Sequence, residues 1–97
     1  MPYACSYEVP ASVHMYREVK RLIGDEPASG MLVHFVVRSE SGLRHLEVWE
    51  SEDDRHRFRQ ERVLPAVHTV LRSAGFTHMP PEPLLEQLEL VDVQLRA

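Results

Sequence analysis

Met31-Leu-Val-His-Phe-Val-Val-Arg-Ser-Glu-Ser-Gly-Leu-Arg-His-Leu-Glu-Val-Trp-Glu50 is the stretch that decides the fold. Two β-rich runs, Met31 to Arg38 and Leu43 to Glu50, flank Ser39-Glu40-Ser41-Gly42, whose residues supply turn chemistry, so the segment reads as a hairpin. The two-residue period of a strand puts Val33, Phe35 and Val37 on one face with Leu46 and Val48. Leu32, His34, Val36, Leu43, His45, Glu47 and Trp49 take the other. The first set is wholly apolar, and the expectation is that helices cover it. Two registers are open: pairing Arg38 with Leu43 sets His34 opposite Glu47 with His45 diagonal to them, whereas pairing Glu40 with Leu43 sets His34 against Trp49.

Upstream, Tyr3, Cys5, Tyr7 and Val9 alternate with Ala4, Ser6 and Glu8, the pattern of a half-buried strand that Pro10 closes. Ser12 is placed to cap a helix carrying Val13, Tyr16, Val19, Leu22 and Ile23 at helical spacing, and Gly24 with Pro27 ends it. Downstream, Ser51 and Asp54 resemble a capping box, and Glu52, Asp53 and Asp54 put negative charge where the dipole of a new helix favours it. Phe58 lies about half a turn out of phase with Val63, Leu64, Val67, Val70 and Leu71 at 100° per residue, with Pro65 between the two phases. The expectation is a kink or break between Glu61 and Pro65. Thr77 to Pro83 reads as an extended linker, and Gln87 to Leu95 as the last strand.

With 97 residues, 43% of them hydrophobic and 27% charged, the chain is read as one globular domain spanning 1–97. A domain of this size buries only roughly 60–68% of the surface its unfolded chain exposes, which favours help from a partner subunit. The single cysteine, Cys5, leaves no internal disulfide framework, and no apolar run approaches the length of a membrane span. The expected setting is therefore soluble, reducing and cytoplasmic. A net charge of −4 works against non-specific binding of nucleic acid, and neither nucleic acid nor membrane is an expected partner.

The order strand, helix, strand, strand, helix, strand predicts an α+β protein: a ferredoxin-like β-α-β-β-α-β unit with a four-stranded antiparallel sheet, two helices on one face and the second helix broken near Pro65. Both sheet faces carry large apolar residues, while the helices shield only one. A second copy covering the other would give a homodimeric barrel.

The run Leu43-Arg-His-Leu-Glu-Val-Trp-Glu-Ser51, the acidic helix start, Phe58 and Arg62-Val-Leu-Pro-Ala66 resemble the dimeric α/β-barrel superfamily, in particular its antibiotic-biosynthesis-monooxygenase-like branch. The resemblance spans Tyr3 to Leu95 and rests mainly on the third strand ending in Trp-Glu-Ser before a helix. It implies a ferredoxin-like protomer, a homodimer, and a pocket between sheet and helices or at the barrel mouth. Members range from cofactor-independent oxygenases of electron-rich phenols to haem-degrading enzymes and proteins without known activity, so fold likeness alone selects no reaction. His68 falls in the segment where haem-degrading relatives hold their iron. Those relatives also use an asparagine on the first strand and a tryptophan on the second helix, where this chain has Cys5, Ser6 and Phe58.

His34, His45, Glu47 and Trp49 are the candidate catalytic residues. A histidine oriented by a carboxylate beside an indole, in a water-poor cavity, is suited to take the proton of a phenol or quinol, whose anion then reacts with O₂. The plainer reading makes the same groups hydrogen-bond partners that fill a dimer interior. Two histidines and a carboxylate also match a non-haem iron triad in type, but without a fixed register neither a metal nor another cofactor is assigned. The acidic run Glu50 to Asp54 lacks the alternation of a calcium loop, and the four glycines form no phosphate loop. An RNA-recognition domain shares the topology, but Leu43 to Glu50 lacks its aromatic pair. The expectation is a small homodimer binding an aromatic or lipophilic molecule, with a cofactor-independent monooxygenase as the alternative.

Overall fold

The computed structural model describes residues 2–94, in the order β1 (Tyr3–Val9), α1 (Val13–Ile23), β2 (Met31–Ser39), β3 (Gly42–Trp49), α2 (Glu52–Phe58), a π turn (Arg59–Val63), α3 (Leu64–Ser73) and β4 (Glu86–Leu88). The strands form one four-stranded antiparallel sheet in the order β2-β3-β1-β4. This α+β arrangement is compatible with a ferredoxin-like fold. The last strand is shorter than the expected Gln87 to Leu95: it covers Glu86–Leu88, and Leu95 lies outside the described residues.

Local chemistry explains where the elements begin and end. Ser12 Oγ accepts the Met15 amide at 3.1 Å and Ser51 Oγ accepts that of Asp54 at 3.1 Å, each satisfying a donor that the first helical turn leaves free. At Ser51 the hydroxyl also donates to Asp54 Oδ2 at 2.9 Å, a side-chain bond in place of the reciprocal backbone one of a full capping box. Ser51→Ala should cost about 1 kcal/mol and lower Tm by about 4–8 °C in a thermal melt followed by circular dichroism; an unchanged Tm would show that α2 does not rely on this cap. The turn between β2 and β3 requires Gly42, whose φ is +149° and where a Cβ would run into the Val9 carbonyl oxygen.

The helix after β3 is not broken but widened. The Leu64 amide bonds the Arg59 carbonyl, five residues back, so Pro65 enters near the start of α3, where a missing N–H costs little. A π turn holds one extra residue and rotates the following face by about 100° relative to an unbroken α-helix. Phe58 thereby packs on Trp49 while Ala66 and Leu71, further along, are buried as well. Arg62 steadies this join by donating to the carbonyls of Ile23 (3.0 Å) and Glu26 (2.8 Å) at the end of α1.

The hairpin register is Arg38 opposite Leu43 and His34 opposite Glu47, the first of the two expected pairings, with an irregularity between Met31 and Val33 at Leu32. The expected faces, however, are exchanged. Tyr16 of α1 meets His45 edge-on, Phe58 lies on Trp49, and Arg55 reaches Glu47, so the helices cover the face carrying His45, Glu47 and Trp49. Tyr3, Cys5 and Tyr7 of β1 pair with Trp49, Glu47 and His45 and share that face. The core cluster is Tyr3, Cys5 and Trp49, with Ala28, Met31 and Phe58 against it. Val33, Phe35, Val37, Leu46 and Val48 form the open face, where Phe35 is 50% and Val37 44% exposed. The physical reason is bulk: Trp49, Tyr3, Tyr7 and Phe58 bury more apolar area than a row of valines, and the polar groups among them find partners.

Candidate functional site

Glu47 is at the centre of the helix-covered face. It is 7% exposed, and its carboxylate is surrounded by donors from three elements. Tyr7 Oη of β1 donates to Oε2 at 2.5 Å, while Trp49 Nε1 of β3 and Arg55 Nε of α2 each donate to Oε1 at 2.9 Å. The Cys5 thiol approaches the same oxygen at 3.8 Å. Arg55 holds this place because the Ser51 cap starts α2 directly after Trp49, turning its first residues back over the sheet. The guanidinium also lies 5.3 Å above the Tyr7 ring.

Next to this carboxylate is an aromatic stack. The Tyr7 and His45 rings are 4.8 Å apart and nearly parallel, the His45 and His34 rings 5.4 Å apart, and Tyr16 closes the side edge-on. His34 Nε2 and His45 Nδ1 are 3.2 Å from each other, a hydrogen bond whose donor is set by the tautomers. The structure thus brings together all four residues singled out in the sequence, on the face under the helices and not the one away from them.

The electrostatics follow from this packing. Burial disfavours the charge on Glu47, but the hydrogen bonds from Tyr7 and Trp49 and the charge of Arg55 outweigh it and hold the carboxyl below its ordinary range. Burial, followed by the Glu47 charge, pushes the Tyr7 hydroxyl far up and the Cys5 thiol up to about 11, so Cys5 is an inert core residue and not a nucleophile. His45 is lowered to about 4 by burial first, then by His34, with Arg55 adding to the effect against the pull of Glu47. Burial also lowers His34. At neutral pH the site is a charged Glu47–Arg55 pair beside two neutral imidazoles.

Tyr7, Tyr16 and Arg55 belong to the site and were not singled out in the sequence. Tyr7 carries a signal, since strand alternation puts it in phase with Cys5, and the β1–β3 pairing sets it opposite His45. Arg55 carries none, because a basic residue on an acidic helix start reads as solvated. His68 is exposed on α3 and stands outside the cluster.

Trp49 is 1% exposed, its indole enclosed by Tyr3, Cys5 and Phe58. Two open grooves border the sheet among the described residues, and of the four candidate residues Glu47 alone lines one of them, the groove on the open face. One, of about 380 Å³, runs along the open sheet face between Ala4, Phe35, Leu46, Val48, Leu88 and Val91. The other, beside it, is bordered by Ser6, Glu8, Arg44 and Leu84 to Glu86. Fold and site together define a small α+β protein with a polar, aromatic-clamped cluster under its helices, in which Glu47 is buried and the two histidines are part-buried, and an apolar groove on the opposite face. No protein-family model matches the chain, and none of the curated proteins matches it. Among the described residues no helix is long and apolar enough to cross a membrane.

Proposed function

We propose that the chain is a homodimer of the dimeric α/β-barrel type, joined through its open sheet face, that takes up an aromatic or lipophilic small molecule in the groove there. The observation that carries this reading is the exposure of Phe35 and Val37 beside Val33, Leu46 and Val48, a patch that the chain's own helices leave uncovered. Arg44 and Glu8 lie at one end of the same face, 3.7 Å apart, so a twofold copy would meet a surface bearing both signs of charge. The groove volume is within the range of small-molecule sites, and most of its lining residues are apolar, with Glu47, Glu89 and Asp92 among them as the acidic ones. Sedimentation velocity should give a dimer for the native protein and a monomer for Phe35→Glu/Leu46→Glu, with circular dichroism unchanged. A native monomer at high micromolar concentration would sink the assembly.

The monooxygenase alternative draws support from one feature, the part-buried and neutral His34–His45 pair, which has the proton-accepting state a phenol needs. Against it stands the packing around Trp49, where the postulated cavity is filled by side chains. With hydroquinones or phenolic polyketides the expected oxygen uptake is that of a protein-free control; catalytic uptake abolished by His45→Gln would reverse the ranking.

A further inference from the structure

We infer that His34, His45 and Glu47 form a binding site for a first-row divalent transition-metal ion of the zinc, cobalt or iron(II) type, independently of whether the chain dimerises. The backbone assembles the three donors. His34 and Glu47 are directly opposite on β2 and β3, and His45, two residues along β3, points to the same face. One nitrogen or oxygen of each is within 4.8 Å of the others.

The distances are compatible with a shared ion. Ligands bound at about 2.0–2.1 Å around one ion are separated by about 3–3.4 Å, and His34 Nε2 and His45 Nδ1 already stand 3.2 Å apart. The Glu47 carboxylate completes the set by a side-chain movement of about 1.5 Å or through one bridging water. It has the capacity to do so: among the described residues Oε1 is taken by Trp49 and Arg55, whereas Oε2 accepts from Tyr7 alone.

The surroundings hold these donors in place as outer groups do in metal sites generally. The His45 ring is clamped between Tyr7 and His34, with Tyr16 against its edge, and Glu47 is aimed by three donors. Two imidazoles and one carboxylate suit borderline ions and not magnesium or calcium, which prefer all-oxygen shells. Arg55 is the opposing influence, since its charge offsets that of Glu47, so the two imidazoles carry most of the affinity.

The test is titration of chelator-treated, desalted protein with cobalt(II) chloride or zinc sulfate at pH 7.5, read by calorimetry, thermal shift and the cobalt visible spectrum. Saturation at one ion per chain is expected, with Tm raised by about 10 °C at a hundredfold excess over Kd. His34→Gln and His45→Gln should each weaken binding at least tenfold, while the exposed-residue control His68→Gln/His78→Gln leaves it unchanged. Ring resonances of His34 and His45 in the native protein provide a readout that needs no variant to fold, and zinc should perturb these two first. No saturable binding, binding unaffected by His34→Gln, or perturbation of the surface histidines alone would overturn the inference.

Discussion

Glu47→Ala is expected to remove about 3–5 kcal/mol of folding stability, the largest loss of any single substitution proposed for this chain. The carboxylate does not merely add an ion pair. Its loss strands the guanidinium of Arg55, whose side chain is 15% exposed, and leaves the Trp49 indole N–H and the Tyr7 hydroxyl without their acceptor inside packed surroundings. A domain of this size holds roughly 5–15 kcal/mol in total, so the variant sits at the edge of folding. Glu47→Gln separates charge from hydrogen bonding: it keeps an acceptor for the indole but not the charge that Arg55 faces, and should lose about half as much. Combining Glu47→Leu with Arg55→Met removes both charges, and recovery of part of the loss is expected because the cost of breaking such a pair is mostly that of the abandoned partner. Urea unfolding of the set measures this. A Glu47→Ala protein within about 1 kcal/mol of the native one would mean that water reaches Arg55 and that the cluster is not sealed.

The same residue shows what strand periodicity can and cannot decide. Alternation separated the two faces correctly from Val33 to Trp49 and limited the register to two choices, because a one-residue slip would exchange every side chain; it failed at Leu32, where the bulge puts Met31 instead opposite Trp49 and against the core and leaves Leu32 exposed. It could not say which face turns inward. Counting apolar residues favoured Val33, Phe35, Val37, Leu46 and Val48, since His45 and Glu47 look costly to bury. Burial of polar groups is governed by their partners, however, and the partners come from Tyr7 on β1 and Arg55 on α2, outside the hairpin that carries Glu47. The better signal was bulk: Tyr3, Cys5 and Tyr7 are in phase with one another, and the only tryptophan lies on the face they join.

Helix starts were legible because capping is local: Ser12 and Ser51 each act within three residues. The phase slip between Phe58 and Val63 was legible too, but its resolution was not. A kink and a π turn both accommodate Pro65, and only the need to pack Phe58 on Trp49 while burying Ala66 and Leu71 selects the second. The last strand fell short of its apolar pattern because β4 pairs only through Leu88, Gln87 and Glu86 with Ala4, Cys5 and Ser6. Leu90, Val91 and Val93 continue the apolar pattern without continuing the ladder.

Acidification of the metal-free protein should destabilise it in two successive steps, losing about 2 kcal/mol between pH 6.5 and 4 and more below. The first step belongs to His45. Its pKa in the fold, about 4, is below the 6.5 of a free imidazole, so between these values the unfolded chain binds a proton that the folded chain refuses. Stability from this group is complete above pH 6.5 and drains away as pH falls toward 4. A tenfold difference in proton affinity between the folded and unfolded chain corresponds to about 1.4 kcal/mol, and the full gap is reduced here because the ring is only part-buried. His34, also lowered, acts in the same direction. Glu47 adds the second step, since its carboxyl is held below 4.5 and its contribution is lost only as pH drops through that lower value. The charges of Lys20 of α1 and Arg55 of α2 lower His34 and His45 respectively, and both oppose adding another charge to the pair. Urea midpoints measured in the presence of chelator across pH 7.5 to 3.5 test the sign directly: His45→Gln should flatten the upper step and leave the lower one in place. A stability that rises as pH is lowered from 6.5 to 4.5 would mean the imidazoles share a proton in the fold, and the neutral pair described under the helices would have to be abandoned.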